Sequence, residues 1–314
     1  MRGEADLWCF CERIFPGNRT VVTCNHSGRF APSPTGDLHF GSLVSAIASF
    51  LQAKHVHGKW LIRMEDIDPP REVPGSAARI LQDLSRLELN SDRPVLYQST
   101  RTRAYESAVD TLLSKGKAFL CGCSRNDLPP SGIYPGTCRN GLAPGKSPRT
   151  VRLKVKGNTI RFCDLIHGTI EQNLEHSVGD FIIRRADGLP AYQLAVVVDD
   201  AFQGITEVVR GSDLLESTAR QIHLQHALGL PTPAYLHHPL AVSSDGKKLG
   251  KRFASDPVGR LPAAEAVRIA LLFLGQKPPG GMALKELWSW AVEHWQTKSI
   301  PPVEFIRVEL SARA

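Results

Sequence analysis

The order of apolar and polar positions along the chain predicts strands and helices in alternation. A strand ends near Phe30, and from Ser42 the apolar residues fall on one helical face, at Leu43, Ala46, Ile47, Phe50 and Leu51. The stretch "KWLIRMEDID" predicts a short buried strand with acidic residues at its carboxyl end, whereas "AARILQDLSRLEL" and "RAYESAVDTLLSKG" predict amphipathic helices. This alternation is typical of an α/β protein with a doubly wound parallel sheet.

The pattern changes after residue 120. Residues 121–150 are rich in cysteine, proline and glycine and lack periodicity, so we expect an irregular insertion. "TVRLKVKG" predicts a half-exposed strand, and "DFIIRRADGLPAYQLAVVVDD" holds two apolar runs joined by a hairpin-type turn at Asp187-Gly188. "SDLLESTARQIHLQHALG" predicts a helix that ends at Gly229, and the 62 residues after Arg252 are expected to be mostly helical around a break at "QKPPGGM".

These changes divide the chain into five segments. Residues 1–27 show no periodicity and are expected to form a poorly ordered N-terminal extension. Residues 28–120 and 151–240 would form the two halves of one α/β domain, with the insertion at 121–150 between them. Residues 241–314 would carry a lysine-rich loop and a small helical region.

The composition indicates a globular protein but does not indicate its function. With 314 residues, 42% hydrophobic and 22% charged, the chain can bury real cores, and no run approaches the roughly 18 apolar residues of a membrane span. Acidic residues within the apolar part of the N-terminus argue against a secretion signal, so we expect a cytoplasmic monomer with no membrane partner. The net charge of +7 suits a polyanionic partner but is also common in proteins that bind none.

The stretch "APSPTGDLHFGSL" joins the first strand to the first helix and is a candidate phosphate site. Free backbone N–H groups around Gly41 and Ser42, at the start of the helix, would favour an anion. His39 could donate to a phosphate oxygen, and Gly41 lacks a Cβ that would keep a ligand away. The alternative is a tight turn with a surface histidine, and no G-x-x-x-x-G-K-[ST] or strand-linked G-x-G-x-x-G motif supports nucleotide binding independently.

A second candidate lies about two hundred residues further on, in "SSDGKKLGKR". Its four basic residues are Lys247, Lys248, Lys251 and Arg252. Cations that close over an α-phosphate would stabilise the charge that builds up there in a nucleotidyl-transfer transition state. The alternative is an ordinary solvated basic loop.

Taken together and in this order, "RFAPSPTGDLHFGS" and "KLGKR" resemble the two signature motifs of class I aminoacyl-tRNA synthetases, known as HIGH and KMSKS. "IRMEDID", "AYQLAVVVDD" and "VVRGSDLLESTARQI" are similar to the glutamate- and glutamine-specific subgroup, and the resemblance covers about residues 28–255. It implies a Rossmann-like catalytic domain. The short C-terminal region and a Cys-x-Cys, Tyr, Cys pattern resemble the short paralogues within that subgroup.

Those paralogues form glutamyl-adenylate from L-glutamate and ATP, then attach glutamate to the queuosine base in the tRNA(Asp) anticodon. The resemblance therefore implies L-glutamate, ATP with Mg²⁺, and queuosine-containing tRNA(Asp) as partners. It also implies that the protein activates glutamate without tRNA. The full-length glutamyl enzymes, by contrast, need tRNA for this step. Two other functions remain open: a truncated glutamyl-tRNA synthetase that charges a tRNA 3′ end, and a non-catalytic zinc-containing RNA-binding paralogue.

The resemblance further implies a role for individual residues. The glutamate-binding set is Arg29, Phe30, Ala31, Pro32, Ser33, Glu65, Tyr192 and Arg210, and the ATP-binding set is His39, Gly41, Ser42, Lys248 and Lys251, of which His39 and Lys251 are catalytic. Glu65 would meet the α-ammonium group, and Arg210 the side-chain carboxylate through two hydrogen bonds of its planar guanidinium. Ser42 stands where the family has a second histidine, and Gly250 and Arg252 stand where it has serines.

The cysteines of the insertion predict a zinc site. Cys121, Cys123 and Cys138 offer three thiolates in a segment too irregular to fold alone, although unliganded reduced thiols are the alternative. Spacing does not identify a fourth ligand, and the resemblance implies Tyr134, with one Zn²⁺ per chain. Cys163 stands alone. A second set, Cys9, Cys11, Cys24 and His26, either binds another metal or belongs to residues added by an upstream start codon.

Overall fold

The computed structural model describes residues 26–157, 159–243 and 261–308. Strands and helices alternate through the first half, as the sequence pattern predicts. The strands are β1 Ser27–Phe30, β2 Lys59–Met64, β3 Leu96–Tyr97, β4 Ala118–Cys121, β5 Thr150–Leu153, β6 Thr159–Asp164, β7 Gly168–Asn173, β8 Phe181–Arg184, β9 Glu207–Gly211, β10 Ala234–His238, β11 Leu240–Val242 and β12 Phe305–Arg307. The α-helices are α1 Phe40–His55, α2 Ser76–Arg86, α3 Thr102–Ser114, α4 Leu174–Ser177, α5 Tyr192–Gln203, α6 Leu215–Leu228, α7 Ala263–Phe273 and α8 Leu284–His294.

Parallel strands form the centre of the molecule. β1 pairs with β2 and β2 with β3, while β10 lies between β9 and β6, and all four of these pairings are parallel. The two groups meet where the backbone N–H of Thr206, just before β9, donates to the carbonyl of Ser27 in β1 at 2.9 Å. The carboxyl ends of β1, β2, β9 and β10 therefore share one edge, which is where parallel α/β sheets bind ligands. The predicted parallel α/β architecture is confirmed.

A second, antiparallel sheet has the order β4-β5-β8, and the insertion is the connection between β4 and β5. The strand predicted at "TVRLKVKG" forms as β5, but the expectation that it is half-exposed is wrong, because all four of its residues are buried. β5 is the central strand of three, and its polar residue Arg152 is covered by the insertion on one side. Alternation of charged and apolar residues thus indicates a strand here but not an exposed face.

The turn at Asp187-Gly188 forms as predicted but leads into a helix. The N–H of Arg185 donates to the carbonyl of Leu189 at 2.9 Å, and Gly188 has a φ of +85° that favours glycine. The valine-rich run that follows belongs to α5, whose apolar residues Leu194 to Val197 are buried. Tertiary packing here outweighs the preference of valine for strands.

The C-terminal region covers α1 from outside. α7 and α8 pack against α1 in one apolar core, in which Trp288 contacts Phe50 with ring centroids 5.1 Å apart. The last strand, β12, returns to pair with β11. Within the described residues this region is mostly helical, as predicted, and none of the described helices is long and apolar enough to cross a membrane. The division into five segments stays a prediction.

Candidate active site and metal centre

The helix start predicted to hold phosphate lies at the carboxyl end of β1. α1 begins at Phe40, two residues before the predicted start, and His39 is its N-cap, accepting the N–H of Ser42 at Nδ1 over 3.2 Å. The hydroxyl of Ser42 lies 3.0 Å from the other ring nitrogen of His39. The expectation of a free N–H at Ser42 is therefore wrong, because the imidazole caps it. Gly41 sits beneath the ring, and a Cβ there would lie 3.3 Å from it.

The lysine loop predicted to close over ATP lies outside the described residues. Lys247, Lys248, Gly250, Lys251 and Arg252 fall within 244–260. Their proximity to His39, and the roles of Lys248 and Lys251, stay predictions. The chain enters this segment from β11 and leaves it at Leu261, whose carbonyl accepts a hydrogen bond from Arg86 at 2.8 Å.

Four buried charges form the floor of the predicted glutamate pocket. Asp200, near the end of α5, accepts from the Nε of Arg29 at 3.0 Å and from the Nη1 of Arg63 at 2.8 Å. Arg63 also reaches Glu65, 3.4 Å away, at the end of β2. Burial alone would raise the pKa of Asp200, but the two guanidinium groups keep it below its usual value. Burial raises the pKa of Glu65, and Arg63 and Arg29 offset only part of that effect.

Arg210 projects from β9 beside this cluster and is almost fully engaged by the protein. Its Nε donates to Nε2 of His237 at 3.0 Å and its Nη1 to Gln221 at 2.8 Å. Its Nη2 donates to the Thr218 hydroxyl at 2.8 Å and to the Leu214 carbonyl at 3.3 Å. Within the described residues, four of its five N–H groups are used, so a carboxylate would find one remaining donor in this conformation rather than the two expected.

The other predicted glutamate-binding residues surround the same place. Tyr192 is the first residue of α5 and is 36% exposed. Desolvation of its phenol raises the pKa, and the charges of Arg210, Glu65 and Arg29 act on the same group. The turn after β1 contributes backbone, since the carbonyl of Pro32 accepts the N–H of Glu65 at 2.9 Å. Phe30 is buried, whereas Ala31 is partly buried and Ser33 is exposed. The structure thus brings Arg29, Glu65, Tyr192 and Arg210 together.

Sequence reasoning missed the residues behind this pocket: Arg63, Asp200, His237 and Asp164. Arg63 and Asp200 could have been identified from the sequence, because each is a charged residue within or directly after an apolar run, "WLIRM" and "AVVVDD". A charged residue in such a run is either exposed or paired, and Arg63 is completely buried. His237 and Asp164 carry no comparable signal, because what they contact depends on which strands are neighbours.

The four predicted metal ligands form one buried cluster. The sulfur atoms of Cys121, Cys123 and Cys138 lie within 4.8 Å of one another, and those of Cys123 and Cys138 are 3.7 Å apart. Two sulfurs bound at 2.3 Å to a tetrahedral Zn²⁺ lie about 3.8 Å apart. The Tyr134 hydroxyl lies 3.4 Å from the sulfur of Cys121 and 3.8 Å from that of Cys123. The donor set therefore fits a zinc ion.

Asp180 fastens this cluster to the antiparallel sheet. Its buried carboxylate accepts two hydrogen bonds from Arg139, at 2.7 and 2.8 Å, and one from the N–H of Val155 at 2.7 Å. Arg152 donates to the Asp180 carbonyl at 2.7 Å and lies over the ring of Tyr134, 4.0 Å from its centroid. One acidic residue thus orients the two arginines that flank the cysteines.

Two further sets of residues lie apart from these sites. A cavity of about 670 Å³ between β4, β5, β6 and the end of α6 is lined by Lys117, Lys154 and His223 but by none of the predicted glutamate-binding residues. In the possible second metal set, only His26 is described, and its Nε2 lies 3.1 Å from the Glu207 carboxylate. Cys9, Cys11 and Cys24 lie outside the described residues.

Comparison with known proteins identifies the family and the fold. The family described as tRNA synthetases class I (E and Q), catalytic domain, matches residues 26–130 and 137–266. A crystal structure of glutamate-tRNA synthetase from Elizabethkingia anophelis has a TM-score of 0.77 at 25% identity, covering 91% of this chain and 68% of that one. A glutamate tRNA ligase from Elizabethkingia meningosepticum, in complex with its amino acid, gives 0.75 at 25% identity over 89% of this chain and 66% of that one. The chain therefore has the catalytic domain of the class I aminoacyl-tRNA synthetases and is an aminoacyl-tRNA synthetase-like ligase.

Curated relatives of similar length narrow the assignment. The glutamyl-Q tRNA(Asp) synthetase of Aromatoleum aromaticum is 51% identical over 284 residues, covering 87% of this chain and 90% of that protein. The protein of the same name from Pseudomonas aeruginosa PAO1 is 50% identical over 284 residues, covering 89% of this chain and 97% of that one. The chain belongs to the glutamyl-Q tRNA(Asp) synthetase family. By contrast, it spans only about two thirds of the glutamate-tRNA synthetases above.

Proposed function

We propose that this enzyme activates L-glutamate with ATP and transfers it to the queuosine base of the tRNA(Asp) anticodon. The observation that carries the proposal is the convergence of Arg29, Glu65, Tyr192 and Arg210 at the carboxyl edge of the parallel strands. The printed names of the relatives support the acceptor, and the printed names of the solved structures support the amino acid.

The charge of the pocket suits glutamate. Arg29 and Arg63 are paired with Asp200 and Glu65, whereas Arg210 has no direct carboxylate partner among the described residues. The buried carboxylate of Asp164 reaches Arg210 only through His237. The side-chain carboxylate of glutamate would give Arg210 a direct counter-charge, which the neutral amide of glutamine would not.

Activation is a transfer between two substrates that needs no protein nucleophile. A carboxylate oxygen of glutamate forms a bond to the α-phosphorus of ATP, and the bond from that phosphorus to pyrophosphate breaks. His39 at the start of α1 and Lys251 stabilise the phosphate charge, while Mg²⁺ accompanies ATP. A queuosine hydroxyl then bonds to the glutamyl carbonyl carbon, loses its proton and releases AMP.

The zinc ion in this proposal is structural. Cys121, Cys123, Tyr134 and Cys138 would hold it, and its bonds would reinforce the small apolar cluster that these residues form with Phe119. Its chemistry is to fix the fold of the segment between β4 and β5. No catalytic step depends on it.

Activation is tested by glutamate-dependent exchange of pyrophosphate into ATP in the absence of tRNA. We expect exchange with the unmodified protein and loss of about 100-fold or more in Lys251→Ala, because a cation that stabilises the transition state is removed. Exchange that appears only when tRNA is added would indicate a glutamyl-tRNA synthetase. No exchange under either condition would indicate an RNA-binding paralogue.

The acceptor is tested separately by charging three RNAs with labelled glutamate. They are tRNA(Asp) carrying queuosine, an unmodified tRNA(Asp) transcript and tRNA(Glu). We expect product only with the first, and nuclease digestion should recover the label on the anticodon fragment. Equal charging of the unmodified transcript, or label on the 3′-terminal nucleoside, would contradict transfer to queuosine.

A further inference from the structure

We infer that Asp164 and His237 are positioning residues that hold the guanidinium of Arg210 in place for the side-chain carboxylate of glutamate. Neither residue belongs to the set that the sequence assigns to glutamate. The inference rests on the proposed function, because it deepens the role of Arg210 within it. It is carried by a continuous row of hydrogen bonds through the sheet from β6 to β9.

Strand register creates this row. His237 in β10 is the direct partner of Arg210 in β9, and on the other side Tyr235 in β10 is the partner of Asp164 at the end of β6. The His237 side chain spans the strand that separates Asp164 from Arg210. Its Nδ1 lies 2.7 Å from Oδ2 of Asp164, and its Nε2 lies 3.0 Å from Nε of Arg210. Asp164 and His237 are completely buried, and Arg210 is nearly so.

The turn after β6 fixes Asp164 before it meets the histidine. Its other oxygen, Oδ1, accepts the backbone N–H groups of Ile166 and His167, both at 3.0 Å. The turn is bound to β10 as well, since the N–H of Leu165 donates to the carbonyl of Tyr235 at 3.0 Å. Oδ2 is therefore presented to His237 as an acceptor with a fixed direction.

These contacts determine where the proton of His237 lies. The carboxylate of Asp164 only accepts, so Nδ1 must carry the proton. The Nε of Arg210 always carries a proton, so Nε2 must be the unprotonated acceptor, and the Thr218 hydroxyl, which lies 3.2 Å from the same nitrogen, can donate to it as well. Burial lowers the pKa of His237 to about 4, which agrees with a neutral ring at physiological pH. Both ends of the row therefore require the same tautomer.

The consequence for Arg210 is a fixed orientation. Thr218, Gln221 and the carbonyl of Leu214 hold its two terminal nitrogens, and His237 holds Nε. Without an acceptor at Nε, the guanidinium plane could turn about its long side chain and carry its remaining donor away from the pocket. The interaction with substrate is then weakened even though Arg210 itself is present.

The test reverses the polarity of one hydrogen bond. In Asp164→Asn the amide N–H₂ faces Nδ1 of His237, so the ring must accept there and carry its proton on Nε2, against the N–H of Arg210. A flipped amide would instead oppose the backbone N–H groups of Ile166 and His167. We expect the KM for glutamate in pyrophosphate exchange to rise about 10- to 100-fold, as for loss of one charged hydrogen bond. The KM for ATP should not change, and kcat should stay within about threefold.

Two substitutions of the histidine distinguish positioning from general packing. In His237→Gln the side-chain oxygen can accept from Arg210 and the amide can donate to Asp164, so the KM for glutamate should stay within about fivefold. His237→Leu fills the space but removes the acceptor, and the KM should rise as in Asp164→Asn. Tyr235→Phe is the matched control, because it removes the buried hydrogen bond that Gln225 donates to the Tyr235 hydroxyl but keeps the ring, whose centroid lies 5.5 Å from the guanidinium carbon of Arg210. It should leave the KM unchanged.

Nitrogen-15 NMR of the imidazole rings reads the tautomer directly and does not depend on activity. The signal that disappears in His237→Gln identifies His237, and at pH 7 we expect a neutral ring protonated on Nδ1 that changes to Nε2 protonation in Asp164→Asn. A KM for glutamate unchanged in both Asp164→Asn and His237→Leu, or a ring protonated on Nε2 in the unmodified protein, would overturn the inference. If the unmodified protein shows no exchange, the proposed function fails, and the NMR result alone then decides the tautomer.

Discussion

At the residue scale, the pocket combines buried charges with unequal surroundings. Asp200 has two guanidinium partners at hydrogen-bond distance, whereas Glu65 has one partner at 3.4 Å. The pKa of the first carboxyl is accordingly lowered and that of the second raised. Asp200 therefore stabilises the fold in its ionised form. Ionised Glu65 destabilises the fold unless a cation, such as the ammonium group of the substrate, binds next to it.

Glu65→Gln is expected to stabilise the protein while it impairs glutamate binding. A raised pKa in the folded state means that the stability associated with the protonated carboxyl is present below about pH 4.5 and lost as pH rises. The variant should therefore have the higher melting temperature at pH 7, and the difference should vanish below pH 4.5. Its KM for glutamate should rise at least about tenfold, since a charged partner of the ammonium is lost.

Thermal melts across pH and pyrophosphate exchange measure the two effects. Glu106→Gln, at an exposed position of α3, serves as the matched control and should change neither quantity. A lower melting temperature for Glu65→Gln at pH 7 would show that the carboxylate is already stabilised without substrate.

At the scale of elements, one side chain serves both the fold and the proposed chemistry of α1. His39 caps the helix through its ring, and the same ring stands at the start of the helix where a phosphate would bind. Capping accounts for the conformation, so the presence of the histidine alone does not establish catalysis. Two substitutions separate the roles.

His39→Ala should lose the cap and the phosphate donor together, whereas His39→Asn should keep a capping oxygen and lose only the imidazole that would reach the phosphate. We expect the free energy of unfolding to fall by about 1 kcal/mol in the alanine variant and to stay nearly unchanged in the asparagine variant. Exchange should fall about 100-fold in both. Denaturant titration and exchange assays make the comparison, and full activity in His39→Asn would show that the ring acts as a cap alone.

The link between insertion and sheet gives a second prediction at this scale. Asp180→Ala leaves Arg139 and the N–H of Val155 without their buried acceptor, so we expect unfolding free energy to fall by about 3–5 kcal/mol. Asp127→Ala removes an exposed ion pair with Lys146 and two exposed hydrogen bonds from Ser124 in the same insertion, and it should destabilise the protein much less, because water solvates the groups left behind. Similar losses in the two variants would contradict the role of Asp180 as the attachment point.

At the scale of the whole molecule, zinc content tests both candidate metal sets at once. Metal analysis should give one zinc per chain, and Cys123→Ser should lower both that content and the melting temperature, because the ion would link parts of the insertion that share only a small apolar cluster. A chain starting at residue 26 should keep the full zinc content. Two ions per full-length chain, with one lost on this truncation, would instead assign a metal to Cys9, Cys11 and Cys24.

The parts that could be predicted from sequence are those encoded locally. The turn before α1 and the acidic end of β2 are each determined by about ten consecutive residues. The sequence therefore correctly predicts that His39 lies at the start of a helix and Glu65 at the carboxyl end of a strand. The row from Asp164 through His237 to Arg210 could not be predicted, because its members are separated by up to 73 positions and meet only through strand order. The burial of β5 was missed for the same reason.

The short pairing of β11 with β12 gives the final strand an influence on chemistry far from the C-terminus. The carbonyl of Glu304 accepts hydrogen bonds from the backbone N–H of Leu240 and from the hydroxyl of Ser212. The residue before β12 therefore links the start of β11 to the turn that follows β9. The lysine motif begins a few residues after β11. A stop codon placed before residue 304 would therefore leave β11, from which the chain enters the lysine-rich segment, without its partner strand, although every residue of the glutamate pocket would remain. Fusion partners are better added at the N-terminus.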